Sequence, residues 1–244
     1  MAPARILSTH DSTVLEQIFD PESAPTPSPV TIDQGLQAFP NISHRALTSL
    51  RSSEILAIRA AEAGDIAKAL AILSQSITSS PSYCSAYNNR AQVRRMAVAI
   101  AADDIANNDN LFATSPDTRR EIAAAYADLS AAISLASPQT PTAPISPQTA
   151  KLLANAHTQR ATILHTSSKH LAAGAPLPRE LPEELAHLGS DVAAWEEAAS
   201  RDFFWGGRYG NELAKAMAVH TNPYAKLCGS IVKEAMKKEI GEAY

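Results

Sequence analysis

Asn88, Asn89, Gln92 and Arg95 stand one, three and three residues apart, which places amide and guanidinium groups along one face of a helix. Carboxamides both donate and accept hydrogen bonds, so such a row can pair with the backbone of a bound segment without using charge. Further on, Asn155, Thr158, Gln159 and Thr162 form a second polar row on a helical pattern. Together with Arg51, Glu54 and Ile58 these residues make a candidate partner-binding groove. The same amides are also suited to bridging or capping neighbouring helices, so two roles stay open for Asn88 and Asn89.

Catalytic chemistry finds little footing. The chain has no G-x-S-x-G elbow, no phosphate-binding G-x-x-x-x-G-K-[ST] loop and no G-x-G-x-x-G. Its 7 histidines are scattered, and His165 and His170 have no carboxylate or cysteine at ligand spacing. Asp103, Asp104 and Asp109 lack the glycine and closing glutamate of a calcium loop. Neither a metal, a cofactor nor an enzyme is expected. A different kind of site could lie at Phe203-Phe204-Trp205, three large aromatics beside the Gly206-Gly207 pair. They read either as a cover for the end of the fold or as an exposed anchor for a partner.

The elements behind these residues are helical. Aromatics make up only 5% of the 244 residues and Gly only 9, while alanine abounds, which favours close-packed helices over a sheet. From residue 46 apolar residues recur at helical spacing: Leu47, Leu50, Ile55 and Ile58, then Ile66, Ala69, Leu70, Leu73 and Ile77. Gly64 breaks the run, Asp65 caps the second helix and Pro81 closes it. Helix, Gly-Asp turn, helix, proline is the arithmetic of a tetratricopeptide repeat, with a period of about 34 residues. The expected fold is all-α, a right-handed superhelix of three such repeats near 50–83, 84–138 and 147–201. Residues 97–119 and 171–182 are read as insertions at inter-helix turns, which length alone makes cheap. Capping helices at 209–240 end the fold, with Asn222-Pro223 as the start signal of the last. Residues 1–43 are expected to be mostly a disordered arm around a Pro/Ser linker, with one short helix near 11–19 carrying Val14, Leu15, Ile18 and Phe19.

Charge and targeting signals narrow the function classes. The net charge of −4 comes without a basic stripe, so nucleic acid is not an expected partner. No leader-like apolar run opens the chain and no window suggests a membrane span, which points to a cytoplasmic protein. Cys84 and Cys228 are far apart and read as reduced thiols.

Five pieces, in order along nearly the whole chain, resemble the tetratricopeptide repeat protein 36 family. They are 14–21 (VLEQIFDP), 60–65 (AAEAGD), 85–92 (SAYNNRAQ), 159–161 (QRA) and 222–228 (NPYAKLC). The second and third of the repeats depart from the compact family pattern through their insertions. The resemblance implies a non-enzymatic adaptor or co-chaperone scaffold that binds heat-shock-70-class chaperones. It implies, alternatively, a regulatory partner that stabilises a metabolic enzyme, linked to tyrosine metabolism.

Many repeat proteins of this kind clamp the acidic tail of a chaperone with a row of Lys, Arg and Asn. Asn89 fits that clamp. Glu54, Ile58, Asn155 and Gln159 stand where its other members belong, and Glu54 carries the wrong charge. No carboxylate clamp is expected, and a chaperone would have to be bound in another way.

Overall fold

The computed structural model describes residues 30–101, 109–140, 142–178 and 181–241. The short helix expected near residues 11–19 lies outside them. Among the described residues the secondary structure is helical, with a single isolated β-bridge between Ile32 and Ile145. Among the described residues eight α-helices follow in order: α1 His44–Glu62, α2 Ile66–Ser79, α3 Cys84–Ala101, α4 Pro116–Ala136, α5 Pro147–Ala172, α6 Val192–Arg208, α7 Glu212–Thr221 and α8 Pro223–Gly241.

All of these helices but α3 begin where a short polar side chain takes an orphan N–H. The Oγ of Ser43, Ser115 and Ser146 accepts from the third residue on, and Pro116 and Pro147 fill the first helical position. Asp65, Asp191 and Asn211 do the same for α2, α6 and α7. Asn222 Oδ1 accepts from both Tyr224 and Ala225 ahead of α8. Between α1 and α2 the chain reverses at Gly64, whose φ of 81° suits only glycine.

Consecutive helices from α1 to α7 pack against one another, and α1 with α3 and α3 with α5 also touch. The close approaches are made by small residues. Ala57, Ala91 and Ala161 on α1, α3 and α5, and Ala69, Ala125 and Ala199 on α2, α4 and α6, are wholly buried. Leu73, Leu129 and Phe203 each follow four residues later on the second helix of a pair and fill the space beside them. The largest apolar cluster gathers Ile122, Leu129, Leu153, Ile163, Leu164 and Trp195 between α4, α5 and α6.

Several boundaries differ from the sequence reading. Residues 30–43 fall inside the arm expected to be disordered, yet they are tied down. Asp33 N donates to Ile145 O, Ile145 N donates to Thr31 O, and Phe39 meets Tyr83 edge-on at 4.9 Å. Val30 and Phe39 give this segment apolar area to bury, which the Pro/Ser stretch before it lacks.

The insertion at 97–119 is partly core. Its front extends α3 to Ala101, and its return leg buries Asn110, Leu111, Phe112 and Ala113. Ser167 Oγ on α5 accepts from Leu111 N, so this leg is held by side-chain chemistry rather than left at the surface. The second insertion begins inside α5, which runs on to Ala172 and stops at Gly174 with φ 90°. The helix expected from residue 183 is a separate 3-10 turn, Glu183–Leu188, ended by Gly189. α6 therefore starts later and continues through Arg208, which takes Phe203 to Gly207 into the helix.

Candidate functional site

The row of amides folds into a ladder that crosses three helices. Glu54 on α1 accepts from Asn89 Nδ2 through Oε1 at 2.9 Å and from the Tyr83 hydroxyl through Oε2 at 2.7 Å. Asn88 Oδ1 on α3 accepts from Gln159 Nε2 on α5 at 3.1 Å. Gln159 Oε1 in turn accepts from Arg95 Nη1 at 3.2 Å, and Arg95 pairs with Asp109 within the insertion. Burial, then the neighbouring Glu54 carboxylate, holds the Tyr83 hydroxyl well above the usual tyrosine range, so it remains a donor.

Four of the expected groove residues, Asn88, Asn89, Arg95 and Gln159, are thus joined to one another or to groups of the chain. Their hydrogen bonds align the first helices of successive pairs. Thr158 and Thr162 donate to carbonyls one turn back on α5, and Thr158 faces Gly206 of α6. Gln92 and Asn155 are exposed, and both line hollows in the surface. The sequence reading does not include Tyr83 or Asp109 in the ladder. Tyr83 lies just after Pro81, in a turn rather than on a helical stripe, and Asp109 reads in the sequence only as a failed calcium ligand.

Three openings adjoin the row. A well of about 220 Å³ between α1 and α3 is walled by Ile58, Ala61, Val93 and Met96, with Glu62 and Gln92 at its edge. A second, of about 250 Å³, lies between α3 and the insertion and shares Gln92 and Met96 with the first. A wider hollow of about 510 Å³ joins Ile32, Asn155 and Tyr209. Away from the row, the two insertions meet around a cleft of about 700 Å³ lined by Phe112, Arg119, His170 and Leu177.

The aromatic trio divides. Phe203 is buried among Ala161, Ala214 and Ala218 and is unavailable as an anchor. Trp205 is half-buried and stacks on Tyr209 and His157, with the Arg208 guanidinium 5.0 Å above its ring. Phe204 is half-buried beside it. The glycine pair is not a flexible break. A Cβ on Gly206 would meet Thr158 Oγ1 at 2.8 Å, and one on Gly207 would meet Lys215 Cα at 2.8 Å, so these glycines let α6 approach α5 and α7.

Arg90 and Arg160, at equivalent places on α3 and α5, carry a second ladder. Arg90 reaches from Ser74 on α2 to Asp128 on α4, and Arg160 from Ser130 on α4 to Asp202 on α6. Asp202 also lies 3.0 Å from His157 Nδ1. Burial raises the Asp202 carboxyl, but the Arg160 charge and the hydrogen bonds from His157 and Arg160 outweigh it and hold it below the usual carboxylate range. These charges serve packing between helix pairs; none of them opens into the three hollows beside the amide row.

Among the described residues no group of three or more His, Cys, Asp or Glu side chains is placed to hold a metal ion. Among them, too, no helix is long and apolar enough to cross a membrane.

The sequence is 40% identical to the L-tyrosine degradation gene cluster protein hmgX of Aspergillus fumigatus, over 96% of this chain and 93% of that one. It is 30% identical to the tetratricopeptide repeat protein 36 homolog of Nematostella vectensis, over 97% of this chain and 98% of that one. The Bos taurus tetratricopeptide repeat protein 36 is 27% identical, over 93% of each chain. No family model matches the chain. No solved structure matches it.

Proposed function

Since the chain belongs to the tetratricopeptide repeat protein 36 family, we propose that it is a non-enzymatic adaptor, a three-repeat right-handed superhelix closed by α7 and α8, that holds a protein partner in its concave groove. The observation that carries this reading is the ladder from Glu54 to Asp109. It lines up α1, α3 and α5 and leaves two adjoining apolar wells beside the exposed Gln92. Concave, largely apolar hollows with a few polar groups are where partners bind.

The client class is a metabolic enzyme of tyrosine breakdown, which the protein stabilises or positions. The name of the Aspergillus fumigatus relative, a protein of a tyrosine degradation gene cluster, supports this reading over a chaperone tail. Glu54 supports it too. Its carboxylate already takes the Asn89 amide, the group that a clamp would offer to a partner's carboxylate. A heat-shock-70-class chaperone, which the family resemblance implies, would then engage through a folded surface.

The test is capture of partners from native cytosol with the unaltered chain and a Gln92→Ala, Asn155→Ala variant of equal helicity. The reading expects one specific enzyme to be recovered and to be lost with the variant. Equal recovery by both would move binding away from the groove.

A further inference from the structure

Building on the concave-groove reading, we propose that the adjoining wells beside Met96 select a basic amphipathic helix, with two apolar side chains three or four residues apart and a Lys or Arg beside the first.

Hydrogen-bond supply in the groove argues for a helix. Asn88, Asn89 and Gln159 spend amide groups on one another and on Glu54, which leaves Gln92 as the exposed amide between the wells. An extended segment would bring a row of unpaired backbone groups to a surface with few partners for them, and burying such groups is costly. A helix arrives with its backbone already satisfied and lays only an apolar stripe into the groove.

The wells set the spacing. They share two wall residues, Gln92 and Met96, which stand one turn apart on the same face of α3, so the wells adjoin. Side chains three or four apart on a partner helix are neighbours on one face and can enter two adjoining wells.

Charge sets the sign. Glu62 lies at the edge of the first well, exposed, and among the described residues it forms no ion pair. The cation nearest the second well, Arg95, is committed to Asp109 and Gln159, and Glu54 is held by Asn89 and Tyr83. The charge left for a partner at the first well is therefore a carboxylate, which favours a guanidinium or ammonium.

A displayed library of random 18-residue peptides, selected on the full chain, tests this. The enriched peptides should carry a net positive charge and apolar residues three or four apart. Ile58→Gln should weaken their binding about tenfold, as losing one apolar contact does. Glu62→Lys should reverse the preference from basic to acidic peptides, with the melting temperature of both variants unchanged. Acidic or uncharged winners, no winners, or binding indifferent to both substitutions would overturn the proposal. If it falls while the Gln92→Ala, Asn155→Ala variant still loses its cytosolic partner, the groove reading stands alone. If that variant keeps its partner, both fall.

Discussion

Arg160 grips Asp202 through two parallel hydrogen bonds, Nε to Oδ2 at 2.7 Å and Nη2 to Oδ1 at 2.8 Å, in the same register in which Arg90 grips Asp128. Each arginine also reaches back to a serine on the preceding helix, so the pairing locks one helix pair to the next. Asp202 is almost fully buried, and removing its charge strands the guanidinium. Asp202→Asn should cost about 3–5 kcal/mol, read from urea unfolding at neutral pH.

The same pair sets a pH dependence. The folded carboxyl of Asp202 lies below its unfolded value of about 3.9, so its stabilisation is complete above that value and is lost as pH falls through the folded one. Melting temperatures of the unaltered chain and Asp202→Asn should differ most near neutrality and converge in strong acid. A constant gap down to the lowest pH would contradict the pairing.

At the α6–α7 crossing, alanine at Gly207 gains helix propensity but puts its Cβ against the Lys215 backbone. Overpacking of this kind costs about 1–3 kcal/mol, more than the ~1 kcal/mol that propensity returns. Gly207→Ala should lower the melting temperature.

Leu111 tests whether the first insertion belongs to the core. It is 2% exposed, against 66% for Ile100 near the start of the same insertion. Leu111→Ala should cost about 2–5 kcal/mol, and Ile100→Ala less than about 0.5 kcal/mol. Equal, small effects in urea melts would return the whole insertion to the surface.

The two thiols should separate. Burial pushes Cys84 up to about 11, while Cys228 is only half-buried. At pH 8 a disulfide reagent should modify Cys228 first and reach Cys84 only on unfolding. Two equal fast phases would contradict the packing around Cys84.

Local chemistry is what the sequence made legible. Gly64-Asp65 and Asn222-Pro223 mark their helix ends because caps and turns are decided by neighbours, and Ala57, Ala69 and Ala91 stand out by spacing alone. The amide row is legible as a row, but its bonding is not. Asn89 meets Glu54 from 35 residues away and Asn88 meets Gln159 from 71, and no local pattern encodes such pairs. For the same reason Asn110 to Ala113 give no sign of docking on α5, and residues 30–43 read as arm because the partner of Phe39, Tyr83, is distant in sequence. The start of α6 is misplaced because Glu183 to Leu188 carries a helical pattern that Gly189 cuts short.

The most direct measurement is photo-cross-linking in native cytosol, with benzoylphenylalanine in place of Gln92 in one chain and of Ile231 on α8 in another. Both positions are exposed. A concave-groove adaptor should form its specific cross-link from position 92 and none from position 231. A cross-link from position 231 alone would place the partner on the last helix and contradict the groove.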